Sequence, residues 1–272
     1  MFFIRRVQPG LRAMSFLLIV LAPLSLAGCG GANVTGTLSK WFGITSDSEL
    51  DLGEDAPQTL ARQAQERMEA DDYKGAAELW QQLKDQYPYS QYATLGELKL
   101  GDALYLQAKY VEALGAYEDF ERLHPDSDAL PYAVYQQGMC YYMRMQGIDR
   151  DQTPTIQTIQ TLARLVDMYP QNQYASMAQA RIAEAQNNLA GHEFYVGEFY
   201  YNRKDYAAAM NRFMGLLQYY PDSGYHQKAL NYIAEYRQLV AEGKAEDMGN
   251  QRDATFDSPF ISEVSDPNQV AF

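Results

Sequence analysis

Apolar and small residues recur at fixed offsets in three segments of the chain. Counted from the tyrosine that opens each segment, alanine stands at offset three, an aromatic residue at seven, an apolar residue at ten and proline at fifteen. The first ten offsets place these residues on one side of an α-helix, and proline ends a helix because it lacks a backbone N–H and restricts its predecessor. The copies are Tyr73, Ala76, Trp80, Leu83, Pro88; Tyr110, Ala113, Tyr117, Phe120, Pro125; and Tyr206, Ala209, Phe213, Leu216, Pro221.

A small residue stands nine positions before each opening tyrosine: Ala64, Gly101 and Gly197. A small side chain on the preceding helix lets two helix backbones approach closely, so each unit is predicted to be a helical hairpin. Such a hairpin buries its apolar face only by stacking on neighbours. Tyr110 follows Tyr73 by 37 residues, close to the roughly 34 residues of the tetratricopeptide repeat. The pattern predicts an all-α, right-handed α-solenoid of about five tetratricopeptide-like helical hairpins.

A further copy of the pattern, the third in chain order, is degenerate. Its first helix, "PYAVYQQGMCYYMRM", is followed by an inserted loop, "GIDRDQTP", and its second helix ends at Pro170. Threonines stand in that second helix where the other copies have an aromatic residue and alanine. The repeat offsets there are occupied by Thr155, Thr158, Leu162 and Leu165.

The segment after Pro170 is longer than its counterparts. It predicts one long helix from about Tyr174 to Arg203, with a bend near Gly191. The segment "GYHQKALNYIAEYRQLVAEGK" after Pro221 predicts a final helix, which either caps the array or begins a fifth unit.

The first 28 residues have the pattern of a secretory signal. Arginines at positions 5, 6 and 12 precede an apolar run from Phe16 that is too short to span a bilayer. The run ends in "LAGC", which resembles the lipobox of bacterial lipoproteins, in which the cysteine is acylated. Cys29 would then be the first mature residue and would carry the covalent lipid. Gly30 favours sorting to the outer membrane, and an ordinary signal followed by an incidental cysteine is the alternative.

Composition divides the rest of the chain. Residues 29–56 are rich in Gly, Ser, Thr and Asp and predict a flexible tether, 57–244 form the predicted solenoid, and 245–272 predict a disordered acidic tail.

The formal charge of −13 becomes −16 without the three arginines of the leader, since 19 basic residues then face 35 acidic ones. This charge would repel a phosphate backbone, so no nucleic-acid partner is expected. Cys140 has no cysteine partner once Cys29 is acylated, and a buried thiol is predicted.

No catalytic constellation is found in the sequence. The histidines at 124, 192 and 226 fall in different units without metal-ligand spacing, and HExxH, CxxC, GxSxG and phosphate-loop motifs are absent. His124 stands where other copies have tyrosine before proline, so a packing role is expected. No enzyme activity, metal site or cofactor beyond the lipid on Cys29 is predicted. A cell-wall hydrolase accessory remains the enzymatic alternative.

The first helices of the units are expected to line a concave groove. Aromatic side chains and methionine bind extended peptides with little loss of entropy and adapt to varied shapes. The competing interpretation is that several of the tyrosines pack between neighbouring helices. The repeat register assigns to the groove Asp102, Tyr105, Tyr132, Tyr135, Met139, Tyr142, Phe194, Glu198 and Tyr201.

Five segments resemble the BamD family of outer-membrane assembly lipoproteins, also called ComL or YfiO. They are "YPYSQYA", "RDQTPT", "MYPQNQYA", "NLAGHEFYVGEFYYNRKDYAAAMNRF" and "QYYPDSGYHQKAL". The resemblance implies a lipid-anchored scaffold of the β-barrel assembly machinery on the periplasmic face of the outer membrane. It also implies that His192 and Glu193, within the "L-A-x-H-E" helix, are structural.

In that family the C-terminal repeats dock a POTRA domain of the barrel subunit BamA, and the N-terminal repeats are suggested to recognise the C-terminal signals of unfolded outer-membrane proteins. The implied partners are a BamA-like barrel protein, other assembly lipoproteins, unfolded clients and the outer membrane. Carried onto this sequence, docking would fall on the helices from Phe199 to Arg212 and on the final helix. An intrahelical ion pair is an alternative role for Arg212. Client recognition would fall on Tyr105, Tyr135 and Tyr142.

Two further hypotheses concern the partner and the tail. The chain could instead be another repeat lipoprotein, such as a pilotin of a pilus secretin or a cell-envelope division coordinator. The tail ends in "NQVAF", which resembles the end of a client signal, so the tail could occupy the groove when no client is bound.

Overall fold

The structure, a computed structural model, describes residues 56–246, within which nine α-helices and no strand are found. The predicted leader, Cys29, the tether and the tail after residue 246 lie outside the described residues. The helices are α1 (Ala56–Glu69), α2 (Tyr73–Gln86), α3 (Ala93–Leu106), α4 (Tyr110–Leu123), α5 (Leu130–Tyr142), α6 (Thr153–Met168), α7 (Gln173–Asn202), α8 (Tyr206–Tyr219) and α9 (His226–Ala241).

Each helix packs against the next one in the chain. The pairs α1–α2, α3–α4, α5–α6 and α7–α8 form four hairpins, and α9 packs on α8 as a single further helix. Helices that are not consecutive in the chain make few contacts with one another. This is typical of a repeat array whose units contact only their neighbours. The prediction of an all-α, tetratricopeptide-like solenoid is confirmed.

The residues at the repeat offsets form the core of the array. Trp80, Tyr117 and Phe213 are at most 1% exposed, and the alanines and apolar residues at offsets three and ten are fully buried. The residue before each proline leaves the helical conformation, with φ near −130° and ψ near 55°. Proline disfavours the α conformation in its predecessor, and each of these residues has left that conformation. One fifteen-residue pattern thus specifies both the buried face and the end of each second helix.

Glycine allows the close helix approach that the pattern predicts. A Cβ added at Gly101 would lie 2.6 Å from the Tyr117 ring, and one at Gly197 would lie 2.5 Å from the Phe213 ring. In the third unit the equivalent residue is Gly138, which faces Leu162. It stands further from the offset-zero threonine than in the other units because the loop between α5 and α6 is inserted there.

The inserted loop and the threonines of α6 satisfy their polar groups locally. The buried Gln152 amide donates to the carbonyls of Gly147 and Arg150, both at 3.0 Å. Thr155 donates to Gln152 Oε1 at 3.0 Å, and Thr158 donates to the Pro154 carbonyl at 2.8 Å. The degenerate unit therefore exchanges apolar contacts for hydrogen bonds and remains helical.

The predicted long helix is confirmed as α7, which has 30 residues. The inserted loop lies along it: His192 Nδ1 is 2.7 Å from the Ile148 carbonyl, and Asn188 Nδ2 donates to the Gln146 carbonyl at 3.1 Å. The helix α7 packs on α6 of the third unit and on α8, and Tyr174 in its first half stacks on Tyr135 of α5. Among residues 56–246 no helix has the length and apolar character needed to cross a membrane.

Candidate functional site

The residues predicted to line the groove separate into two groups. Asp102, Tyr105, Tyr132, Tyr135, Met139 and Tyr142 lie on α3 and α5, where the first half of α7 packs. Phe194, Glu198 and Tyr201 lie on the second half of α7, beside α9. The long helix α7 thus packs beside the first group and carries the second.

Asp102 lies in the interior, where it joins α3 to α4 and α5. Its Oδ1 accepts hydrogen bonds from the hydroxyls of Tyr117 at 2.8 Å and Tyr132 at 2.6 Å, and its Oδ2 is 2.8 Å from Lys99 Nζ. Burial and the nearby Asp102 carboxylate raise the pKa of both tyrosines well above the ordinary value. Asp102 and Tyr132 are 6% and 3% exposed. Their buried hydrogen bond therefore links adjacent hairpins.

A more accessible set of side chains, here called the tyrosine cluster, consists of Tyr105, Tyr142, Arg181 and Glu184. The Tyr142 hydroxyl donates to Glu184, and the Arg181 guanidinium lies 5.1 Å from the centre of the Tyr142 ring and 2.9 Å from Glu184. The hydrogen bond to Glu184 raises the pKa of Tyr142. Burial raises the pKa of Tyr105. The cluster is a partly exposed aromatic surface with a positioned ion pair.

Two other residues assigned to the first group contact the core. Tyr135 is 7% exposed and stacks on Tyr174 with ring centres 5.4 Å apart. Met139 is partly buried against the same core. The expectation that some groove tyrosines pack between helices therefore describes Tyr132 and Tyr135, whereas Tyr105 and Tyr142 remain partly accessible.

Phe194 and Glu198 of the second group line a cleft of about 500 Å³, here called the C-terminal cleft. Phe194 is buried against the rings of Phe213, Tyr225 and Tyr232. The Tyr232 hydroxyl donates to Glu198 Oε1 at 2.8 Å. Burial, followed by this hydrogen bond, raises the pKa of Tyr232 to about 12. The cleft is lined by Ile148, Phe194, Glu198, Tyr225, Lys228, Asn231 and Tyr232.

Tyr201 lies deeper than the cleft wall. It is 9% exposed and contacts the rings of Tyr206 and Tyr232 edge-on, at 5.3 and 4.8 Å between centres. Burial raises its pKa to about 12. Tyr201 therefore packs behind Tyr232, which lines the cleft.

The two predicted docking residues have different surroundings. Phe199 is 49% exposed, and the guanidinium of Arg203 lies 5.1 Å from its ring centre. Arg212 Nη1 is 3.1 Å from Glu193 Oε2, whose side chain is only 2% exposed. Arg212 on α8 thus pairs with α7, so the alternative of an intrahelical pair is wrong. The arrangement agrees with a structural role for Glu193.

The remaining candidate groups of the sequence analysis have local roles. His124 Nε2 is 2.7 Å from Glu97 Oε2, so this histidine bonds α3 in addition to its packing on Phe120. Cys140 is fully buried, and burial raises the pKa of its thiol to about 12. No group of three or more His, Cys, Asp or Glu side chains suited to a metal ion is found within residues 56–246.

Comparison with known proteins identifies the family. Residues 54–251 match the model of the YfiO family, described as an outer membrane lipoprotein. The chain belongs to this family. Curated relatives named outer membrane protein assembly factor BamD include one from Neisseria meningitidis, 28% identical over 93% of this chain and 96% of its own length. One from Caulobacter vibrioides is 27% identical over 79% of this chain and 67% of its own length. One from Vibrio cholerae is 28% identical over 74% and 88%.

The match to the YfiO family spans every helix described, including both groups of predicted groove residues. Sequence reasoning missed Arg181 and Glu184, because the first half of α7 was not fitted to the repeat register. Their spacing of three on one helix was the available signal. It also missed Lys228 and Tyr232 of the cleft, which follow Pro221 and lie outside the repeat offsets.

Proposed function

We propose that this chain is a lipid-anchored scaffold for outer-membrane protein assembly, held at the periplasmic face of the outer membrane by acylation of Cys29. The shared name of its relatives supports an assembly role over a secretin pilotin or a division coordinator. The lipobox-like "LAGC" at positions 26–29 supports the anchor. Three acyl chains on one cysteine suffice for stable anchoring, which one chain does not provide.

The tyrosine cluster is the proposed site for client signals, and its geometry is the observation that carries this part of the proposal. Tyr105 and Tyr142 offer aromatic surface, while Arg181 offers a guanidinium that is only partly covered. An extended peptide with an aromatic side chain and a carboxylate would match both features. The buried network around Asp102 fixes α3 relative to α5, so the cluster is held in position before a client binds.

The exposed ring of Phe199 is the proposed centre of the surface that docks a POTRA domain of a BamA-like partner. Large exposed aromatic rings are enriched at the centre of interfaces. Tyr195 and Met214 on α7 and α8 are also exposed, at 45% and 42%. Arg212 contributes by holding Glu193, which fixes α8 against α7 beneath this surface.

The partner is tested by affinity purification of the tagged protein from detergent-solubilised outer membranes, with mass spectrometry of what accompanies it. We expect enrichment of a barrel protein with POTRA domains and of further assembly lipoproteins. The Cys29→Ala variant should lose membrane fractionation. Enrichment of a secretin or of peptidoglycan synthases would overturn the assembly proposal.

The two surfaces are tested by matched substitutions. Phe199→Ala should weaken partner recovery about tenfold, as expected for an interface anchor, whereas Tyr89→Ala, which removes a fully exposed aromatic ring, should not. Tyr142→Ala should weaken binding of a client C-terminal peptide, measured by fluorescence anisotropy. Tyr195→Ala is its control, because Tyr195 is an exposed tyrosine on the same helix as Arg181 but outside the tyrosine cluster. Equal effects of a test variant and its control would refute the assignment.

A further inference from the structure

The described chain leaves its last helix by turning back. Gly243 has φ of 67°, a left-handed conformation, and the N–H of Lys244 donates to the Leu239 carbonyl at 2.9 Å. This is the hydrogen-bond pattern of a helix end that reverses the chain. Ala245 then packs against the hydrophobic core, and the hydroxyl of Tyr236 donates to the Glu246 carbonyl at 2.8 Å. The chain therefore returns along α9 and does not continue beyond its end.

One face of α9 connects this exit to the C-terminal cleft. Tyr236, Tyr232 and Lys228 follow one another at four-residue spacing, so their side chains lie on the same face. Tyr232 and Lys228 line the cleft. At 1.5 Å per residue, the helix places Lys228 about 12 Å from Tyr236 towards the beginning of α9. The cleft therefore lies on the same face of α9 that Glu246 contacts.

The cleft offers an aromatic surface and a cation. Lys228 Nζ lies 5.1 Å from the ring centre of Tyr225 and 5.9 Å from that of Phe194. Within residues 56–246 no carboxylate forms a salt bridge with it, while the nearby Glu198 accepts a hydrogen bond from Tyr232. The complementary ligand is a segment with aromatic side chains and an acidic residue.

The sequence after Glu246 contains such a segment. Residues 247–272 include five acidic residues and one arginine, and "FDSPFI" at 256–261 places an aspartate between two phenylalanines. Phe256 follows Glu246 by ten positions, and ten residues at about 3.3 Å each reach up to roughly 33 Å. The segment can therefore reach the cleft with slack.

We propose that residues 256–261 of the chain bind in its own C-terminal cleft, with Phe256 and Phe260 against the aromatic wall and Asp257 beside Lys228. The segment then covers the inner face between α7 and α9 and leaves the tyrosine cluster free. This occupant differs from the terminal "NQVAF" segment, although Phe194 and Glu198 of the cleft are also among the residues predicted to line the groove. The proposal does not depend on the assembly function.

Site-specific photo-crosslinking in the full-length mature chain tests this contact. Benzoylphenylalanine replaces Asn231, an exposed residue of the cleft wall, and the crosslinked peptides are identified by mass spectrometry at low protein concentration. We expect crosslinks within one molecule to the peptide that contains residues 256–261. The same probe at Val111, an exposed position on α4, should give no such crosslink.

Tail substitutions decide which residues bind, and they leave every residue of α1–α9 unchanged. F256A/F260A should lower the crosslink yield at least about tenfold, which corresponds to about 1.4 kcal/mol, and F272A should leave it unchanged. The proposal is overturned if Asn231 gives no crosslink to residues 256–261, or if F272A lowers the yield and F256A/F260A does not. Crosslinks between two molecules would identify a second copy as the occupant and would overturn it equally.

Discussion

Replacing Gly101 with alanine tests the close helix packing on which the repeat depends. The added Cβ would lie 2.6 Å from Tyr117 Cε1 and 2.9 Å from two further ring atoms. The ring has little freedom to move, because Tyr117 is fully buried and its hydroxyl donates to Asp102 at 2.8 Å. The strain must therefore separate α3 from α4 or break the hydrogen bond to Asp102.

The expected size of the effect follows from two opposing contributions. Extra volume in a well-packed core costs about 1–3 kcal/mol. Alanine in place of glycine within a helix returns about 1 kcal/mol, since glycine loses more backbone entropy on folding. We expect a net loss of up to about 2 kcal/mol in the free energy of unfolding, and each kcal/mol lowers the melting temperature by about 2–4 °C in a domain of this size.

Urea unfolding followed by far-ultraviolet circular dichroism measures this loss, and Gly115→Ala is the matched control. Gly115 is exposed within α4, and a Cβ there meets nothing within 4 Å. Gly115→Ala should therefore raise stability by about 0.5–1 kcal/mol. If Gly101→Ala proves as stable as Gly115→Ala, close approach at Gly101 does not hold the hairpin, and the small residue nine positions before the tyrosine needs another physical explanation.

Three further predictions concern buried or partly buried polar groups. Arg212→Met leaves the buried Glu193 carboxylate without its guanidinium and should cost about 3 kcal/mol in urea unfolding; adding Glu193→Gln should restore most of it, and no restoration would contradict the pairing. Burial tends to raise the pKa of Glu121, but hydrogen bonds from Arg164 and Gln137 outweigh this effect and lower that pKa below the ordinary value of 4.5. The stabilisation from this group is therefore present above that pH and is lost as the pH falls through the folded-state pKa, and Glu121→Gln should flatten the acid limb of the stability curve between about pH 5 and 3. Because the Cys140 thiol is buried with a pKa of about 12, labelling with a thiol reagent near neutral pH should require unfolding, and rapid labelling of the native protein would refute its burial.

The array of helical hairpins could be predicted from the sequence because one periodic pattern carries several physical requirements at once. Trp80, Tyr117 and Phe213 at the same offset fill the same place in three hairpins, and the proline fifteen residues after each opening tyrosine fixes where the helix ends. Gly138 could not be placed, since its spacing to the offset-zero residue depends on the length of an inserted loop. A fixed offset fails wherever the turn between the two helices changes length.

The polar contacts between hairpins could not be predicted from periodicity. Arg164 on α6 binds Glu121 on α4 and Gln137 on α5, and Gln137 donates to Glu121 at 2.7 Å. Which charged residues meet depends on the angle and separation of helices that are not adjacent in sequence. The sequence shows that each residue can form an ion pair but does not show with which partner.

Burial decides which groove residues can report on client binding. Tyr132 and Tyr142 lie on the same helix and both have a pKa raised by a carboxylate or by burial, yet Tyr132 bonds the interior Asp102 and Tyr142 bonds Glu184 on the surface. Removing the Tyr132 ring would open a cavity between hairpins, so a loss of client affinity would be inseparable from a loss of stability. Removing the Tyr142 hydroxyl with Y142F keeps the ring beneath Arg181 and changes only the surface hydrogen bond. A change in client affinity without a change in unfolding free energy in Y142F would therefore place the client at the tyrosine cluster, which no substitution of Tyr132 can do.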